Sequence, residues 1–190
     1  MNLRSLAMAL ILAIHPGVFA SEGEPTSARI GDVQIEIPPG FDGTRRTSPN
    51  PQTELDAYVS APGLPASMLQ LSWVNVPWGK GDISEADRYG GASKILDGFL
   101  ERFSRNVSNW TRTAGEPVML GGYKAVRARW SGIYRGAPTS GTMYFMGLGK
   151  DAYCFHAFGR ADVSNPGLIA ATGAVERLQM VKGRSIVLRP

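Results

Sequence analysis

The sequence predicts an α+β domain, a mostly antiparallel sheet of about six to seven strands packed against two helices. Short stretches alternate apolar and polar residues, which is typical of strands with one buried face. Glycine- and proline-rich turns join most of these stretches and favour antiparallel neighbours. Two other segments, near 84–103 and 167–178, place apolar residues at helical spacing.

The first twenty residues have the three parts of a cleavable secretory signal peptide. Arg4 supplies the positive start, an apolar run covers 6–14, and Val18-Phe19-Ala20 suits a signal peptidase, so the mature chain is expected to begin at Ser21. The apolar run is too short to span a bilayer. We therefore expect an exported protein of the periplasm or the extracellular space, with no stable membrane insertion after the leader is removed.

Three strands are expected before the first helix. Residues 21–28 are polar without periodicity and predict a flexible lead-in, after which a single α+β domain covers 29–190. The three strands are predicted at 33–37, 54–60 and 68–76. Glu54 and Asp56 share the polar face of the second strand, which is expected to be solvated, and neither is assigned a catalytic role. The stretch 42–52 has no apolar repeat and is expected to be a loop.

A capping pair, Ser84 and Asp87, predicts the start of the first helix. Gly90 and Gly91 weaken its first turns, so either they pack closely against the sheet or the helix begins near residue 92. Its apolar stripe consists of Ala92, Ile95, Leu96, Phe99, Leu100 and Phe103.

The chain returns to strands after residue 106. Gly121-Gly122 predicts a hairpin turn between 117–120 and a long strand over 123–134. In the long strand Val126, Ala128 and Trp130 share one face, and Arg127, Arg129 and Ser131 share the other.

The C-terminal part is predicted to contain two more strands and a helix. A turn is expected over 136–141, followed by strands at 142–148 and 153–158 that a short hairpin connects. Asn165 as a cap and Pro166 at the first helical position begin a helix that ends near 178. Its apolar stripe consists of Leu168, Ala171, Val175 and Leu178. Residues 185–188 could add an edge strand.

Two sequence stretches and the element order resemble the PsbP-like fold family. The stretches are Ile35-Glu36-Ile37-Pro38-Pro39-Gly40-Phe41 and Leu120-Gly121-Gly122-Tyr123-Lys124-Ala125. The family includes the photosystem II extrinsic protein PsbP, a Ran-binding import factor of yeast and many small exported bacterial proteins. The likeness covers about residues 29 to 180. It implies an α/β/α sandwich and an accessory or binding role, and it transfers no catalytic residue to this chain.

Charge and cysteine content narrow the class of protein. The chain has 20 Lys and Arg against 16 Asp and Glu, a net charge of +4 that falls by one when Arg4 leaves with the leader. Because the basic residues are not concentrated in runs, no nucleic-acid partner is expected. Cys154 is the only cysteine, so stability must come from packing without disulfides. The short leader and the absence of disulfides favour a bacterial periplasm.

Cys154 and His156 are the residues that merit attention as reactive groups. Two apart on a strand, they face the same side and suggest a thiol-dependent enzyme or half of a soft-metal site. His15 lies in the leader, so no further histidine or cysteine completes a metal set. A buried thiol beside a hydrogen-bonded histidine is the preferred interpretation. No catalytic residue, cofactor or metal ligand is assigned.

The resulting hypothesis is a non-enzymatic exported protein that binds a protein or envelope component, with toxin neutralisation of the immunity type as one variant. The alternatives are the enzyme built on Cys154 and His156, or a carrier of a small ligand in a pocket between helix and sheet. The candidate binding surface combines basic side chains with tryptophans at element ends. It comprises Arg45, Arg46, Trp78, Trp110, Arg127 and Arg129.

Overall fold

The computed structural model describes residues 27–47, 52–75 and 85–181. The predicted signal peptide, the Ser84 cap, Trp78 and the predicted strand at 185–188 lie outside these residues. The helices are α1 (Glu85–Ser104) and α2 (Pro166–Glu176). The strands are β1 (Ser27–Ile30), β2 (Val33–Glu36), β3 (Phe41–Thr47), β4 (Thr53–Ser60), β5 (Ser67–Asn75), β6 (Val107–Arg112), β7 (Glu116–Leu120), β8 (Tyr123–Tyr134), β9 (Ala137–Leu148), β10 (Asp151–Arg160) and β11 (Gln179–Met180).

The strands form two antiparallel sheets. The large sheet has eight strands in the order β3-β4-β5-β10-β9-β8-β6, and β7 pairs with β8 beside β6. The small sheet has the order β1-β2-β11. This architecture confirms the predicted α+β class with two helices, although the described residues contain more strands than the six to seven expected.

Helix α1 covers one face of the large sheet. Its residues Ala92, Leu96 and Leu100 are buried against side chains that include Trp130 and Phe145, which confirms the predicted apolar stripe. Both interpretations of Gly90-Gly91 are wrong. The helix begins at Glu85, and a Cβ atom at either glycine would meet nothing within 4 Å.

The small sheet and α2 cover the opposite face. Ile30 and Ile35 of the small sheet and Val175 of α2 are buried in a cluster with Leu71 and Phe155 of the large sheet. Since both faces are covered, the central strand β10 is buried along nearly its whole length. Neither helix in the described ranges is both long and apolar enough to cross a membrane.

Three segments predicted as irregular are strands. Residues 42–47 of the predicted loop belong to β3, which pairs with β4 through backbone hydrogen bonds that need no apolar repeat. A turn was predicted over 136–141, but residues 137–141 belong to β9. The turn consists of Arg135 and Gly136, whose positive φ angles of 52° and 79° suit a two-residue hairpin. Ser27 and Ala28, predicted in the lead-in, pair with β2.

Candidate interaction surface

Cys154 and His156 lie on the face of β10 that α1 covers, and both side chains are buried. Burial raises the pKa of the Cys154 thiol to about 12 and lowers the pKa of the His156 imidazole to about 3. Both groups are therefore neutral at pH 7. An activated cysteine needs a lowered thiol pKa, so this pair has the opposite of the required electrostatics.

Aromatic rings enclose the His156 imidazole. The ring centroids of Phe103 and Phe158 lie 5.0 and 4.5 Å from it. Trp130 Nε1 donates a hydrogen bond of 2.9 Å to His156 Nε2. Because Nε2 accepts, the proton of the neutral ring is carried by Nδ1. The arrangement supports the preferred interpretation, a hydrogen-bonded histidine in the core.

The acidic residues of β4 contact or are covered by the small sheet. Glu54 Oε2 accepts a hydrogen bond of 3.1 Å from the Gly31 amide, in the turn between β1 and β2. Asp56 is buried, which corrects the expectation of a solvated polar face, because the small sheet covers this side of β4. Across the described ranges, no three His, Cys, Asp or Glu side chains are grouped to hold a metal ion.

Three residues of the surface predicted from the sequence, Trp110, Arg127 and Arg129, have described side chains, and they lie on different sides of the sheet. Trp110 stacks on Trp130 on the α1 side, with ring centroids 5.1 Å apart. Arg127 lies on the α2 side, where it contacts Glu176 at 2.9 Å. Arg129 joins Arg127 by sharing Glu116, with both contacts at 2.8 Å.

These arginines are engaged in a surface network. Hydrogen bonding by Arg127 lowers the pKa of the Glu116 carboxyl. Exposed ion pairs of this kind contribute little to stability. The backbone of Arg45 and Arg46 lies in β3, and their side chains, like Trp78, are outside what the structure describes.

Exposed apolar side chains occur at one end of the large sheet. Leu64 lies in the β4–β5 connection, Val163 in the link from β10 to α2, and Ile169 in the first turns of α2. Their exposed fractions are 52%, 48% and 73%. We call these three residues the apolar end. Ile169 lies off the predicted apolar stripe of its helix, and this was the one sequence signal of the surface.

Asn165 joins the segments that carry the apolar end. Its Oδ1 accepts from Ser67 Oγ at 2.7 Å and from the Leu168 amide at 3.1 Å, the latter as the helix cap. Its Nδ2 donates to the carbonyls of Ala66 at 3.3 Å and Arg160 at 3.1 Å. The side chain thus uses both donors and both acceptor positions. The cap was predicted from the sequence, and its contacts with the β4–β5 connection were not.

Solved structures share this architecture. Cyanobacterial PsbP (CyanoP) from Synechocystis sp. PCC 6803 is similar, with a TM-score of 0.58 and 8% identity over 86% of this chain and 98% of that one. LpqN, involved in cell envelope biogenesis of Mycobacterium tuberculosis, has a TM-score of 0.52 and 15% identity over 83% and 91%. No protein-family profile and no curated protein matches the sequence. The chain has a PsbP-like fold, as its sequence resemblance predicted.

Proposed function

We propose that this chain is an exported accessory protein of the bacterial cell envelope that acts without catalysis, by binding another protein through the apolar end. The observation that carries the proposal is the exposure of Leu64, Val163 and Ile169 on segments joined by Asn165. Exposed apolar groups on connections held by a rigid scaffold are typical of recognition sites.

Two further observations support this role. The only cysteine and the only histidine of the described ranges are neutral core residues, so the alternative of an enzyme built on Cys154 and His156 has no support from their geometry. LpqN, which has the same fold, is involved in cell envelope biogenesis. Toxin neutralisation is one specific form of such binding, and a gene for a secreted toxin beside this one would favour it.

Site-specific photocrosslinking in cells tests the binding surface. A photoreactive phenylalanine analogue replaces Leu64 in one variant and Ile169 in another. The matched control is Met119, which is 59% exposed beside the Gly121-Gly122 turn, at the opposite end of the sheet. We expect one protein to be crosslinked from both test positions and not from the control.

Crosslinks from Met119 alone, or from none of the three positions, would contradict the proposal. The surface predicted from the sequence stays a prediction. A crosslinker at Arg129, whose side chain is 53% exposed, tests it in the same cells.

Export has its own test. The intact mass of protein recovered from the periplasmic fraction should correspond to a chain that begins at Ser21. Recovery of a chain that begins at Met1 from the cytosol would refute export, whatever the crosslinking shows.

A further inference from the structure

A polar cleft lies between the small sheet and the C-terminal part of α2. Its volume is about 270 Å³. In the sheet register Gln34 lies opposite Gln179, and Ser27 lies opposite Glu36. The cleft is lined by Ser27, Gln34, Glu36, Ala174, Arg177 and Gln179.

Two opposite charges line this cleft without neutralising each other. Within the described ranges, Arg177 and Glu36 form no ion pair, with each other or with another residue. Other arginines of the same ranges, such as Arg112 and Arg160, are paired with neighbouring carboxylates. The cleft therefore offers a guanidinium and a carboxylate that are both available to a ligand.

A glycine makes room for the guanidinium at the edge of the cleft. A Cβ atom at Gly173 would lie only 2.9 Å from Arg177 Nη1, so the arginine head rests against the last turn of α2 where a larger residue would displace it. The neighbouring Ala174 adds another small side chain to the wall. Arg177 lines the cleft together with Gln34 and Gln179.

We propose that this cleft binds a small zwitterion, an amino acid or a dipeptide. Arg177 would receive the ligand carboxylate, because a guanidinium binds carboxylates with two parallel hydrogen bonds. Glu36 would receive the ammonium group, and the carboxamides of Gln34 and Gln179 suit a peptide amide. Glu36 disfavours a simple anion and Arg177 disfavours a simple cation, so a ligand that carries both charges matches best.

The cleft size agrees with this ligand class. Pockets for drug-sized molecules have volumes of about 300–1,000 Å³, and this cleft lies just below that range. The inference goes beyond the proposed function, since it requires neither a protein partner nor the apolar end.

Titration of the isotope-labelled exported protein with L-alanyl-L-alanine, followed by amide NMR, tests the proposal. We expect saturable shifts at Gln34, Arg177 and Gln179 with a Kd of about 1 mM or tighter. N-acetyl-L-alanine, which keeps the carboxylate and lacks the ammonium group, should bind about tenfold more weakly or not at all.

Arg177→Gln and Glu36→Gln should each weaken dipeptide binding by about tenfold or more, because each removes a charged hydrogen-bonding partner. The matched control is Arg105→Gln, which changes an exposed arginine just beyond α1 and should leave the Kd unchanged. Absence of shifts at about 10 mM dipeptide, or shifts that persist in both cleft variants, would overturn the proposal. Crosslinking from Leu64 and Ile169 would be unaffected by that outcome.

Discussion

Protonation of His156 should couple the stability of this protein to pH. Its imidazole is enclosed by Phe103, Trp130 and Phe158, and Nε2 accepts the indole proton of Trp130. A proton on Nε2 would remove this hydrogen bond and place a charge in an apolar cluster. Replacement with glutamine, H156Q, keeps an acceptor for Trp130 and removes the titration.

The sign and size of the effect follow from the two pKa values. Burial lowers the pKa of folded His156 from the ordinary 6.5 to about 3. Between these values the unfolded chain binds a proton that the folded chain does not, so stability is fully present above pH 6.5 and is lost as the pH falls toward 3. Each pH unit within this window costs ~1.4 kcal/mol, so ~3 kcal/mol is lost by pH 4.5.

Urea unfolding at pH 8.0, 6.5, 5.5 and 4.5, followed by tryptophan fluorescence, measures this loss. The free energy of unfolding of the wild type should fall by ~3 kcal/mol more than that of H156Q between pH 8.0 and 4.5. Carboxyl groups that titrate in the same range are common to both proteins, and so is His15 if the leader is retained. Parallel losses in the two proteins would refute the argument.

Two other predictions concern Asn165 and Cys154. Asn165→Ala should lower the free energy of unfolding by ~2–4 kcal/mol, because it removes a helix cap and leaves the Ala66 and Arg160 carbonyls without their donor. The control is Ser164→Ala, which changes the exposed residue just before it. Its free energy of unfolding, measured by the same urea assay, should stay within ~0.5 kcal/mol of wild type. Burial raises the pKa of Cys154 to about 12, so the folded protein at pH 8 should react with Ellman's reagent far more slowly than the protein in guanidinium chloride. Equal rates would show that the thiol is accessible in the native state.

Local patterns predicted most elements of this fold. The α1 stripe, the Gly121-Gly122 hairpin and the Asn165-Pro166 helix start were all evident, because helical spacing, hairpin turns and caps depend on residues near one another in the chain. The preferred interpretation of Cys154 and His156 was also accessible from residue type. A lone cysteine with no partner histidine outside its own strand is most often a packing residue.

Segments that are ordered by residues distant in the sequence could not be predicted from local patterns. The strand β3 has polar residues and is ordered by backbone pairing with β4. Asp56 was expected on a solvated face and is buried because β1 packs against β4. Neither the pairing of β3 nor the burial of Asp56 produces a local sequence pattern, because both depend on which elements pack against them.

The residues of the two surfaces also differ in how far the sequence predicts their positions. Alternation along β8 placed Arg127 and Trp130 on opposite faces, but the position of Trp110 depended on which side of the sheet α1 occupies. Leu64 and Ile169 are about a hundred residues apart in the chain, and long-range contacts such as the hydrogen bonds of Asn165 join their segments. Caps, turns and helical stripes depend on consecutive residues, so the sequence predicts them. A surface forms only when packing brings remote segments of the chain to the same place.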